Sequence, residues 1–227
     1  MDLLTRLGDA VTELARHRPR VLVGIDGPDA SGKTTLADRL GKALSVPALR
    51  VSVDDFHQPA ELRRRRGALS PEGYYRDAFD HDALITDCLL PFRAGSERIR
   101  VGRHDLHTDE PRDVTLPAPP VAALVVDGVF LLRPELRDHW DLAVHLRITP
   151  EESLRRARLR DVDLFGSVSE VERRYLARYL PGQALYQREA DPESRAHVVV
   201  DNEHPGSPAV ERWEVAERPA PALGDRG

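Results

Sequence analysis

The spacing of apolar positions changes along the chain, and each change marks an element. Leu3, Leu4, Leu7, Val11 and Leu14 recur at three- and four-residue intervals, which predicts an amphipathic N-terminal helix within residues 1–19. VLVGID (Val21 to Asp26) is an unbroken apolar run of the kind buried on both faces of a sheet. A glycine loop and the helical pattern TTLADRLGKAL follow it. Four further runs predict strands: ALRVSVD (Ala48 to Asp54), VAALVVDG (Val121 to Gly128), DLAVHLRIT (Asp141 to Thr149) and AHVVVDN (Ala196 to Asn202). Helical patterns cover Asp80 to Phe92, Pro150 to Asp161 and Ser169 to Leu180, the first and last opened by N-cap residue types. Such alternation predicts an α/β fold, a five-stranded, mostly parallel sheet with helices on both faces.

Within a domain spanning residues 20–202, residues 57–120 are more than a simple crossover needs. They hold a strand piece, ERIRVGRHDL, and a proline cluster, LPAPP, and read as a substrate-side insertion. Residues 150–180 read as a lid region, and 203–227 as a tail whose last stretch, ERPAPALGDRG, is expected to fray.

Composition narrows the function classes. With 41% hydrophobic and 31% charged residues, and no apolar run approaching the roughly 20 that a membrane helix needs, no membrane partner is expected. The N-terminus lacks the pattern of a signal peptide, and a lone Cys88 excludes an internal disulfide, so cytoplasmic residence is the expectation. A net charge of −5 argues against a nucleic-acid partner. The run ELRRRRG does not reverse this, because four consecutive helical residues point in four directions; a solvated segment, or anion contacts on the substrate side, are the readings open to it.

Chemistry concentrates at Gly27-Pro-Asp-Ala-Ser-Gly-Lys-Thr34, which fits G-x-x-x-x-G-K-[ST] between a buried strand and a helix. Only two lysines exist in the chain, so Lys33 at the motif position is informative. Backbone amides of a loop containing Gly27, Asp29, Ala30, Ser31, Gly32 and Thr35 are expected to wrap the phosphates of ATP. Lys33 would reach the β and γ phosphates and the Thr34 hydroxyl would take a position on Mg²⁺. Asp127, closing a buried strand, is the expected second metal residue, and no Asn-Lys-x-Asp guanine-reading motif occurs. Asp54 and Asp55 end another strand at the edge where ligands of open α/β sheets bind. Asp54 is expected to continue the strand and activate an acceptor hydroxyl; Asp55 starts the loop, as a cap or a secondary metal-shell contact.

Together these stretches resemble the uridine kinases and uridine kinase-like proteins, a branch of the P-loop kinases. GIDGPDASGKTT is similar to their nucleotide loop, VDDFH to their Asp-x-Phe-Tyr segment, VVDGVFLL to their Glu-Gly strand end and RLRD to their lid. The resemblance runs from about Val21 to Asn202. It implies that Asp54 is the acceptor-side base, that Phe56 lines the acceptor pocket and that Arg160 covers the transferring phosphoryl group. AFDHDAL resembles a segment whose Asp binds sugar hydroxyls, which implies a substrate role for Asp80, a residue that equally suits a helix N-cap. RHDLHTD lies where the family reads the base, which implies His104 and His107. Tyr75 either closes the pocket or packs beneath it.

Three departures stand out: His57 replaces the family's Tyr, Asp127 its Glu, and Phe165-Gly166-Ser167 its Arg-Gly-Arg. His57 therefore marks a substrate pocket that differs from the standard one. Arg156 reads as an ordinary surface pair with Glu152, and Arg173, Arg174 and Arg178 either compensate from the next helix for the missing lid arginines or form a solvated helix face. The expected function is ATP-dependent phosphorylation of a small hydroxyl-bearing molecule, with a nucleoside first and a pantothenate-like, sugar-like or antibiotic acceptor second. A nucleotide-binding regulator with no metabolite acceptor is the reading from another class.

Overall fold

The unbroken apolar run Arg20–Asp26 forms β1, every residue of it buried, and the rest of the sheet is built outward from it. In this computed structural model, which describes residues 2–106 and 108–215, the other strands are β2 (Ala48–Ser52), β3 (Arg98–Asp105), β4 (Glu110–Pro117), β5 (Ala122–Gly128), β6 (Leu142–Arg147), β7 (Val198–Asp201) and β8 (Ala209–Trp213). The main sheet runs β2-β5-β1-β6-β7-β8. Its first five members are parallel and β8 is antiparallel to β7. The sheet thus has six strands where five were expected. β8 escaped notice because it is a half-exposed edge strand, flanked by Pro208 and broken by Glu211 and Arg212 rather than apolar throughout.

The helices are α1 (Leu3–His17), α2 (Lys33–Ala43), α3 (Ala60–Arg63), α4 (Pro71–Asp77), α5 (His81–Ala83), α6 (Leu90–Arg93), α7 (Pro150–Arg160), α8 (Val162–Phe165), α9 (Val168–Arg174), α10 (Leu180–Ala190) and α11 (Pro192–Arg195). One face of the sheet buries Leu7 and Val11 of α1 with Ala37 and Leu40 of α2, so the N-terminal helix shares the main core. The other face holds the aromatic cluster of Phe56, Tyr74, Tyr75, Phe79, Phe130 and Tyr186. Residues 57–120 supply α3 to α6 and the β3–β4 hairpin, a separate two-stranded sheet. Residues 150–180 carry α7 to α9, with a small core of Ala157, Val171 and Tyr175.

Two helices run through a widened turn. Leu84–Leu89 joins α5 to α6 and Tyr175–Tyr179 joins α9 to α10, both as π-helix. Each is followed by a segment with proline as its second residue, Pro91 or Pro181. Proline lacks an N–H and its ring presses on the carbonyl four residues back; one extra residue in the turn relieves that clash. The helix expected to stop at Leu180 therefore continues to Ala190. The stretch Glu217 to Gly227, expected to fray, lies outside the described residues, as does His107.

Candidate active site

The loop after β1 folds as the spacing of its glycines predicts. Gly32 caps α2 at φ +94°, in the left-handed region that favours glycine, and Ala30 stands at φ +60°. The loop's backbone carbonyls are fastened from α7 and from the residue that follows β7. Ser153 Oγ donates to Asp29 O at 2.8 Å, Asn202 Nδ2 to Ser31 O at 2.7 Å and Arg156 Nη1 to Ala30 O at 3.3 Å. These contacts hold the carbonyls away from the cleft, and of the loop amides Ser31 N donates to Pro28 O at 3.2 Å. The Asp29 carboxylate accepts from Tyr74 Oη at 2.8 Å and Gln183 Nε2 at 3.3 Å, tying the loop to α4 and α10.

A cleft of about 790 Å³ lies over this loop, walled by Ala30, Gly32, Lys33, Thr34 and Thr35, with Arg156, Arg160 and Asn202 opposite. Gly27, Asp29 and Ser31, expected among the ATP residues, shape the loop without entering that wall. Leu3, Leu4, Leu36 and Pro205 give one end of the cleft an apolar lining, and Arg39 borders it. The sequence did not flag Arg156. Its pair with Glu152 exists at 2.6 Å, but its guanidinium also donates to Asn202 O, Glu203 O and the phosphate loop. It is a cleft residue rather than a surface one. Arg160 is held by Asp161, at 2.6 Å, and lies 3.4 Å from Tyr175 Oη.

Lys33 Nζ donates to Pro28 O at 2.7 Å. Burial lowers its pKa, opposed by four carboxylates, Asp29, Asp26, Asp54 and Asp127. Thr34 Oγ1 donates to Asp127 Oδ2 at 2.7 Å, so the two expected metal residues meet. Arg50 Nη2 donates to the other Asp127 oxygen at 2.8 Å. An oxygen-only pair with few protein ligands suits Mg²⁺, which keeps several waters and substrate phosphates in its shell.

Asp54 does not continue the strand. β2 stops at Ser52, and Val53–Phe56 form a 3₁₀ turn, nucleated by Ser52 Oγ accepting from Asp54 N at 3.3 Å. The turn separates the two acids: Asp55 pairs with Arg112 of the hairpin at 3.4 Å. Asp54 is open to solvent, yet the protein massed around it pushes its carboxyl up, against the pull of His57 and Lys33. His57 Nδ1 donates to Asp54 O at 2.7 Å and its ring lies 4.4 Å from that of Phe79. Neither acid caps the next helix; Asp109 does, accepting from Ala60 N at 3.0 Å.

The remaining expected substrate residues divide. His104 is buried and reaches Asp109 through Nε2 at 3.0 Å. Asp80 caps α5, accepting from Ala83 N at 2.9 Å. Phe56 is fully buried beneath the turn. Tyr75 packs into the aromatic core against Phe130 and Tyr186, while its neighbour Tyr74 reaches the phosphate loop. Phe130, at φ +66°, is a bulky residue in the left-handed region beside this cluster. A buried network at the end of β1 also went unnoticed. Asp26 accepts from Leu131 N at 2.9 Å, His145 Nδ1 at 2.7 Å and Tyr186 Oη at 3.0 Å. Its signal was a carboxylate closing an otherwise apolar run.

No family model matches the chain. A uridine kinase of Staphylococcus aureus is 25% identical over 159 residues, covering 69% of this chain and 76% of that protein. The structure of a possible uridine kinase from Bacillus stearothermophilus superposes with a TM-score of 0.65 at 24% identity, over 86% of this chain and 98% of the other. A candidate fructose transport system kinase from Silicibacter sp. TM1040 gives 0.70 at 25% identity, over 84% and 96%. A D-glycerate 3-kinase from Cryptococcus neoformans gives 0.64 at 15% identity, over 92% and 99%.

Proposed function

Taking as premise that the chain is a uridine kinase-like P-loop kinase, a phosphotransferase acting on a hydroxyl group, we propose that it moves the γ-phosphoryl group of ATP to a small-molecule alcohol with Asp54 as the base. One observation carries the assignment of the base. Among the carboxylates that act on Lys33, Asp127 is engaged by Thr34 and Arg50, Asp29 by Tyr74 and Gln183, and Asp26 by its buried network, which leaves Asp54 as the one whose carboxyl has no such hydrogen bond among the described residues.

The roles follow from position. Loop amides and Lys33 hold the triphosphate, and Arg156 and Arg160 face it from α7. Thr34 and Asp127 are the residues that would hold Mg²⁺, which supplies charge neutralisation on the β and γ phosphates. Asp54 orients the acceptor hydroxyl and takes its proton; its raised pKa brings it closer to the range in which a carboxylate is an effective base. A nucleoside acceptor is favoured by the uridine kinases among the relatives. His57, set on Phe79 beside Asp54, and the lid's Phe165 in place of an arginine favour a second reading, another small alcohol.

An ADP-release screen over nucleosides, sugars and hydroxy acids, with the product's mass measured, tests the proposal. Turnover should rise with one class of alcohol and fall by roughly 10² to 10⁴ in Asp54→Asn, with ATP binding retained. Full acceptor-dependent turnover in D54N would sink the role of Asp54. Slow hydrolysis indifferent to every alcohol would favour a nucleotide-binding regulator instead.

A further inference from the structure

Arg178 is 8% exposed, in the π-turn between α9 and α10. Among the described residues no carboxylate pairs with it. Its protein contacts are a hydrogen bond from Nη1 to Ala68 O at 2.8 Å and the ring faces of Tyr74 and Tyr179, at 5.4 and 5.9 Å. Taking a guanidinium out of water is costly unless a counter-charge is supplied. Burial pushes Arg178 below its usual range; Tyr179 and Tyr74 oppose this, and Arg63 and Arg64 add to it.

More positive charge gathers on the same side. Arg63 shares Asp109 with His104, at 2.9 and 3.0 Å, and its buried Nε has no partner. Arg64 has no ion pair among the described residues, whereas Arg65 and Arg66 are tied to Asp77. One carboxylate, Asp109, thus serves Arg63, His104 and the N-terminus of α3. The cluster borders the acceptor side: Tyr74 lies under Arg178, its ring 6.4 Å from Phe79, which carries His57 beside Asp54. Arg156 and Arg160 line the nucleotide cleft and Arg178 is not among its walls, which points to a counter-charge on the acceptor side.

We infer that the acceptor carries an oxyanion, a carboxylate or a phosphate ester, which docks between Arg63 and Arg178 while its hydroxyl faces Asp54. This rests on the kinase reading above and narrows its substrate class. In the transfer, the acceptor oxygen bonds to the γ-phosphorus as the bridging P–O bond to the β-phosphate breaks. ADP leaves with that electron pair and the hydroxyl proton passes to an Asp54 oxygen.

The charge of the pocket is tested apart from catalysis by titrating inorganic phosphate, at constant ionic strength, into protein saturated with Mg²⁺ and a non-hydrolysable ATP analogue. Calorimetry should show saturable binding, weakened at least about 10-fold in Arg178→Gln and in Arg63→Gln and largely kept in R178K. No saturable binding in the wild type, or binding unchanged in both glutamine variants, overturns the inference. Matched alcohols then separate the sources: glycerol against D-glycerate, and D-ribose against D-ribose 5-phosphate. ADP release raised by a charged member supports the inference and tells carboxylate from phosphate. Release raised by neutral members alone overturns it while the kinase reading stands. Phosphate binding that R178Q abolishes, with ADP release indifferent to every alcohol, upholds the anion site and sinks the kinase reading.

Discussion

Gly128 is the position where a single methyl group should reach the chemistry without touching the nucleotide. A Cβ there would stand 2.2 Å from Val53 Cγ1 and 2.6 Å from Val53 Cβ. Carbon atoms rest about 3.5–4.0 Å apart, so the segments must part by about 1.5 Å. Val53 is fully buried and cannot swing aside. It opens the turn that carries Asp54, one residue beyond the last pairing of β2 with β5, Ser52 with Asp127. Overpacking of this kind costs about 1–3 kcal/mol, and a displacement of about 1 Å at a catalytic group costs about 100-fold in rate. Gly128→Ala should therefore lower kcat about 100-fold and move the urea midpoint down, with the affinity for a fluorescent ATP analogue unchanged. Adding Val53→Ala removes the nearest clashing carbon and should restore part of the rate. Wild-type kcat together with a wild-type midpoint in G128A would refute the reasoning.

Two further outcomes concern buried polar groups away from the transferred phosphate. Tyr186→Phe removes the hydroxyl that donates to Asp26 and accepts from Leu132 N at 2.9 Å; leaving both short of a partner should cost about 1–3 kcal/mol in urea unfolding, and an unchanged midpoint would show the network to be dispensable. His81 is pushed down from 6.5 to about 3 by burial and by Arg133. Its folded value lies below its unfolded one, so its contribution is complete above about pH 6.5 and is lost as pH falls towards 3, with a ceiling of about 5 kcal/mol. Denaturation at pH 7 and pH 4.5 should show a larger acid loss in the wild type than in His81→Leu; equal losses would contradict the assignment.

The parts of the site legible in the sequence were those fixed by local geometry. The spacing from Gly27 to Thr34 demands a loop of one shape, and the buried run of β5 leaves Asp127 at its end, within 2.7 Å of Thr34. What stayed hidden depends on where the chain returns. Arg156 is indistinguishable from a helix-surface pair until Asn202 and Glu203 come back beside it. Tyr74 and Tyr75 are adjacent, and no periodicity in a seven-residue helix says which faces the phosphate loop. Pro181 reads as a helix stop because its effect on the preceding carbonyl is local, while the π-turn that absorbs it is held by Tyr175 and Arg178 packing inward. Asp54 was placed on a strand because alternation cannot register a 3₁₀ turn begun by the side chain of Ser52.

The turn also bears on how the two halves of the site communicate. Asp29 belongs to the phosphate loop, but its carboxylate is held by Tyr74 of α4 and Gln183 of α10, both far from that loop in sequence. Tyr74 in turn packs on Phe130 and Tyr179 and lies beneath Arg178. A charged acceptor that engaged Arg178 would press on the ring whose hydroxyl fixes the loop, so acceptor occupancy and loop position share one side chain. The lid arginines have local carboxylates in the meantime: Arg160 has Asp161, and Arg173 and Arg174 share Glu170. In the proposed function, Arg160 would exchange Asp161 for phosphate to cover the transferring group, an exchange favoured when a triphosphate offers more negative charge than one aspartate does. In that reading Arg160 stays paired with Asp161 until a triphosphate enters the cleft, whereas Asp54, set by its turn, needs no such exchange.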